Sequence, residues 1–166
     1  MFDQINLNLP YPQVEGVATE REVLCLYDFY AGRFSELTAI TTYVYQSVIL
    51  GDCSLSKLLN EISLVEMEHL NLLAKALVVF GADPVFTGKY NYFSCDYTNY
   101  SKDVRDFLTT NIQWEMDAEK QYKKLANETQ NQSLSQLLTR IAMDEEMHAK
   151  LLTNAYLELF NEQPIL

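Results

Sequence analysis

The amino-acid sequence predicts an all-α chain folded as a four-helix bundle, with one long crossover between its second and third helices. Three observations carry that prediction. Apolar residues recur at helical spacing over four long stretches, those stretches use up the chain beyond residue 18, and start and stop signals bracket each of them.

Residues 1–18 contain Pro10, Pro12 and Gly16 without periodicity, and read as an irregular arm packed on a neighbour or on the bundle. Thr19 with Glu22 three residues later forms a capping box, opening a first helix that runs to Gly51-Asp52. Ser54 caps a second helix that continues to Gly81, a natural C-terminal stop with Pro84 shortly after. Residues 82–100 are too polar and aromatic for a helix, and long enough to run the height of a bundle and leave helices two and three parallel. Tyr90, Tyr92, Phe93 and Tyr97 in this crossover are expected to pack rather than to recognise substrate. A third helix spans 101–129. Ser133 with Gln136 offers another capping box, starting a fourth helix that ends near Phe160. Residues 19–166 are thus expected to form a single domain.

Composition narrows the function. With 166 residues, 48% of them hydrophobic, the chain can bury a sizeable core without disulfides. Twelve basic residues against 23 acidic ones give a formal charge of −11, which repels nucleic acid and anionic membrane surfaces. Cys25, Cys53 and Cys95 stand apart and form neither a disulfide framework nor a CxxC knuckle, so a cytoplasmic location is expected. The N-terminal residues lack the basic and apolar character of a signal peptide, and no apolar run suits a membrane span.

The chain has two histidines, and each follows a glutamate by three residues, as Glu66-Met-Glu-His69 and Glu145-Glu-Met-His148. Chance would produce this on the order of once in a hundred such chains. Residues i and i+3 share a helix face, so each pair points a carboxylate and an imidazole at one ion. Both pairs interrupt core faces. Leu59, Ile62, Leu73, Leu77 and Phe80 accompany Glu66 and His69; Leu138, Ile141, Ala142, Ala149, Leu152 and Leu159 accompany Glu145 and His148. Buried carboxylates are costly unless paired or bound to metal. The alternative is a metal-free Glu-His hydrogen bond, which leaves four grouped side chains incompletely neutralised.

Two further carboxylates complete the set. Glu36 precedes Glu66 by 30 residues and Glu115 precedes Glu145 by 30. Tyr43 follows Glu36 by seven, and Tyr122 follows Glu115 by seven, so each half reads Glu, Tyr, Glu, His. Each tyrosine is placed to donate to a metal-bound carboxylate of the other half; the alternative is a tyrosine packing the core with its hydroxyl at the surface. Glu119, one turn beyond Glu115, competes with it or adds to it as a carboxylate, and is a candidate proton carrier. The repeat favours Glu115. Asp144 either orients a histidine of a neighbouring helix or pairs with Arg140 in solvent.

These residues resemble the ferritin-like superfamily of carboxylate-bridged dimetal proteins, which includes rubrerythrins, bacterioferritins and manganese catalases. The segments SELTAITTYVYQ and VEMEHLNLL are similar to manganese catalases and rubrerythrin-type proteins, and the Glu-x6-Tyr pairs to bacterioferritin and rubrerythrin. The resemblance covers all four helices and implies two Fe or two Mn ions per chain, with Zn as a possible substitute. It implies an oxidoreductase acting on peroxide or O2, with Glu36, Glu66, His69, Glu115, Glu145 and His148 as ligands. The scattered cysteines cannot build a rubredoxin module, so a peroxidase would need a separate electron donor. With 18 residues after His148, little is left for the short fifth helix of cage-forming ferritins. A homodimer is expected. The alternatives are a ferroxidase or iron-storage protein, or a structural protein of a coat or shell.

Overall fold

Thr19 opens the helical part of the chain as its sequence predicts. Its hydroxyl accepts the Glu22 backbone N–H, and the Glu22 carboxylate accepts the Thr19 N–H at 2.6 Å. Burial would raise the Glu22 carboxyl, but hydrogen bonds from Thr129 and Thr19 outweigh it and hold the group below its ordinary value. A group depressed in this way stabilises the fold above its unfolded pKa, and that contribution is lost as pH falls through its folded pKa. Glu22→Gln is therefore expected to cost about 1 kcal/mol at neutral pH. Chemical denaturation should show the difference shrinking once acid has protonated the wild-type carboxyl.

A computed structural model describes residues 5–166. It contains helices α1 (Glu20–Ala31), α2 (Glu36–Leu50), α3 (Ser54–Val79), α4 (Val104–Glu128) and α5 (Gln132–Phe160), with a 3-10 turn at Cys95–Tyr97. Among the described residues there is no strand, only an isolated bridge between Thr87 and Tyr92. None of the described helices is long and apolar enough to cross a membrane.

The first expected helix is two segments, α1 and α2, of a four-helix bundle. At the break, Gly32 leaves the helical path with its N–H still bonded to the Asp28 carbonyl at 3.0 Å. Gly88 of the crossover sits against it so closely that a Cβ there would lie 2.8 Å from the Gly32 Cα. The Lys89 N–H reaches the Asp28 carboxylate at 2.7 Å. Ser35 then caps α2 by accepting from the Thr38 N–H, which makes Glu36 the first residue of the new helix. A carboxylate is favoured there by the helix dipole.

Two caps also differ from the sequence reading. Cys53, not Ser54, caps α3, and Asn131, not Ser133, caps α5 by accepting from the Leu134 N–H at 2.9 Å. Ser133 instead binds the arm, accepting the Glu15 N–H at 3.0 Å.

The core falls into two apolar clusters. One contains Leu26, Leu73, Leu77, Leu125, Leu138 and Ile141; the other contains Leu58, Ile62, Phe107, Leu108, Ile112 and Leu152. The C-terminal halves of α3 and α4 share the first cluster and their N-terminal halves share the second, so the two helices run in the same direction. Residues 80–103 return between them along the bundle. Tyr90 and Tyr92 of this crossover are 82% and 77% exposed rather than packed. The arm lies on α5, with its first four residues outside the described part.

Candidate metal centre

Between Ile62 and Leu73 on α3, and between Ala142 and Leu152 on α5, the inward face turns polar. Glu66, His69, Glu145 and His148 occupy it, with Glu36 entering from α2 and Glu115 from α4, all six buried. They form two overlapping groups whose ligand atoms lie within 4.8 Å of one another. One group is Glu36, Glu66, His69 and Glu145; the other is Glu66, Glu115, Glu145 and His148. Glu66 and Glu145 belong to both.

Each imidazole turns Nδ1 toward the carboxylates. His69 Nδ1 lies 3.0 Å from Glu66 and 3.1 Å from Glu145, and His148 Nδ1 lies 2.9 Å from Glu66 and 3.6 Å from Glu145. One nitrogen has one proton and cannot satisfy several carboxylates at once. Accordingly Glu66 Oε1, Glu145 Oε1 and His148 Nδ1 are buried without a hydrogen-bond partner among the described residues, although His148 Nδ1 and Glu66 Oε1 nearly touch. Orphaned donors and acceptors converging on one space fit cations placed between them.

The ionisation of the cluster points the same way. Burial, then the Glu145 and Glu66 charges, raise Glu36 well above the carboxylate range; burial, then Glu66 and Glu145, do the same to Glu115. Burial opposes charge on both histidines, yet the surrounding carboxylates raise both well above the ordinary value. Without metal, protons supply the positive charge that this pocket demands.

The tyrosines cross between halves. Tyr43 donates to Glu115 and Tyr122 donates to Glu36. Burial first, and then the carboxylates, push both phenols well above their ordinary value, so they stay protonated as donors. Glu119 is not part of either group. Its side chain is 20% exposed and paired with Lys123, which also faces Glu146 of α5.

Asp144 was weighed in the sequence between a histidine and Arg140, whereas Tyr11 and a cavity beside the site were not foreseen. Asp144 is fully buried and engages both of its weighed partners, accepting from His69 Nε2 at 3.2 Å and pairing with Arg140 at 2.6 Å. Tyr11 of the arm donates to Asp144 at 2.7 Å. Burial raises its hydroxyl to about 12. A cavity of about 290 Å³ also opens between α2 and α4, lined by Phe29, Phe34, Trp114 and Ala118, and reaches Glu36 and Glu115. The Pro10-Tyr11-Pro12 sequence was the available signal for Tyr11, since prolines on both sides hold it in extended backbone.

Fold and site together define a helical bundle of the carboxylate-rich kind whose acidic and histidine clusters suit a pair of metal ions. The rubrerythrin family model matches residues 31–156, and the chain belongs to that family. Among solved structures, wild-type KatB, a manganese catalase from Anabaena, is similar at 24% identity and a TM-score of 0.82, over 100% of this chain and 84% of that one. The bacterioferritin BfrA of Mycobacterium tuberculosis is similar at 22% identity and a TM-score of 0.71, over 88% of this chain and 89% of that one. At these identities the likeness carries the fold. Comparison with curated proteins finds no match.

Proposed function

We infer that the protein is a dinuclear metal oxidoreductase that consumes peroxide, with Fe or Mn as its metal. The observation that carries this reading is the pair of overlapping buried groups sharing Glu66 and Glu145. Four carboxylates and two neutral imidazoles balance two divalent cations, so loading the site removes the net charge from a buried pocket. Glu36, Glu66, His69 and Glu145 would hold one ion and Glu66, Glu115, Glu145 and His148 the other, each imidazole offering the Nδ1 that faces the carboxylates. Bound there, Fe or Mn would supply two-electron exchange with peroxide or O2.

The chain's own residues supply placement and protection. The cavity between α2 and α4 admits a small molecule to the Glu36 and Glu115 side, and its aromatic lining limits bulk water. Tyr43 and Tyr122 hold the outer carboxylates from the opposite half. Tyr43→Phe and Tyr122→Phe are each expected to lower metal affinity or turnover about 10- to 100-fold while preserving the fold. Metal titration beside circular dichroism checks this.

Similarity to a manganese catalase favours peroxide disproportionation, in which one peroxide is oxidised to O2 and another reduced to water with no external reductant. A peroxidase would draw electrons from a separate donor. The test is oxygen evolution from peroxide by Mn- or Fe-loaded protein, with and without reductant. Absence of metal-dependent peroxide loss in every case would overturn the reading. Similarity to a bacterioferritin favours a ferroxidase as the second reading. Ferrous oxidation coupled to iron retention in a closed shell would support it, whereas a homodimer, which the peroxide reading expects, would count against it.

A further inference from the structure

The two halves of the site match in their inner residues and differ behind the histidines. On the His69 side, Nε2 faces Asp144 at 3.2 Å, and the Tyr11 hydroxyl stands 3.4 Å from the same nitrogen. On the His148 side, Nε2 is buried with no hydrogen-bond partner among the described residues. The repeat explains the difference. Asp144 immediately precedes Glu145, and the residue immediately preceding Glu66 is Val65, whose side chain cannot accept a hydrogen bond.

Asp144 is itself held by the arm. Its Oδ1 accepts the Leu7 N–H at 3.2 Å and its Oδ2 accepts the Tyr11 hydroxyl at 2.7 Å. Arg140 closes the group by donating to the Leu9 carbonyl at 3.3 and 3.2 Å, pairing with Asp144, and lying 4.5 Å from the centre of the Tyr11 ring. Farther along, Asn131 donates to the Glu15 and Val17 carbonyls at 2.8 and 3.0 Å. The arm is thus fastened to α5 at both ends, with its tyrosine against the imidazole edge.

We propose that the arm is a strap that makes the two metal positions unequal: Tyr11, acting through Asp144, is a positioning residue that fixes the ring and tautomer of His69 and has no counterpart at His148. Metal on Nδ1 requires the proton on Nε2, and among the described residues only His69 has an acceptor waiting for it. The His69 position therefore fills first, and the His148 position fills more weakly. This rests on the dimetal reading above.

The test is titration of metal-free protein with Co(II), followed by visible absorption and calorimetry. Wild type should bind two Co(II) in two distinguishable steps. Tyr11→Phe keeps the ring over Arg140 and removes only the hydroxyl; it should weaken the tighter step about 10- to 100-fold and move the weaker one by no more than about twofold. Asp144→Asn should act on the same step. Tyr27→Phe, which removes a hydroxyl bound to the Asp83 carbonyl away from the site, should move neither step. Two equal wild-type steps, equal weakening of both steps in Tyr11→Phe, or no change in either would overturn the strap while leaving the dimetal reading intact. Failure of wild type to bind Co(II) would overturn both.

Discussion

Replacing Glu66 by alanine is expected to empty both metal positions, taking the metal content from about two ions per chain to near zero and peroxide turnover below about 1% of wild type. Glu66 belongs to both groups of potential ligands, and its two oxygens lie against His69 Nδ1 and His148 Nδ1. Glu145→Ala should behave alike. Glu36 and Glu115 each belong to a single group, so alanine at either position should remove about one ion and leave the other. Elemental analysis of the four variants separates these patterns. A uniform partial loss across all four would contradict the division into shared and single ligands. The folds should survive, because each truncation also removes a buried carboxylate that costs several kcal/mol when unpaired.

Stripping the metal is expected to produce the largest change in stability. A site held at a thousandfold excess over its Kd contributes about 4 kcal/mol by mass action. In a chain of this size that corresponds to a Tm lowered by roughly 10 °C for one site and about twice that for two. The metal-free protein should nonetheless fold, since protons on the histidines and on Glu36 and Glu115 replace part of the missing charge. Scanning calorimetry at neutral pH with and without chelator measures the difference. An unchanged Tm would mean that the cluster is stable as a metal-free polar network.

The bundle and the clustering of its inner residues were legible because two periodicities coincide. Leu59, Ile62, Leu73 and Leu77 define one face of α3, and Glu66 and His69 interrupt that same face, so burial and ligand chemistry can be read from one stripe. The equal spacings that link Glu36 to Glu66 and Glu115 to Glu145 added the other two helices. Glu119 shows where such reading loses resolution. Four residues advance a helix by one turn plus about 40°, enough to turn Glu119 off the inward face of Glu115 and leave it paired with Lys123.

What the sequence did not reveal depends on partners distant along the chain. The break at Gly32 keeps the apolar pattern in phase, and the residue packed closely against it, Gly88, lies in the crossover. Asn131 and Ser133 are both good helix caps, and contact with the arm engages Ser133 elsewhere. Tyr11 contributes only by reaching Asp144 on the last helix. Local propensity has no access to contacts of that range.

Anomalous X-ray diffraction from crystals of protein purified without added metal or chelator, recorded at the Fe and Mn edges, tests the central claim most directly. The account predicts two peaks per chain, one bonded to His69 Nδ1 and one to His148 Nδ1, with Glu66 and Glu145 reaching both. A single peak that persists after reconstitution with excess metal, peaks outside this ligand set, or none after reconstitution with either metal would contradict it.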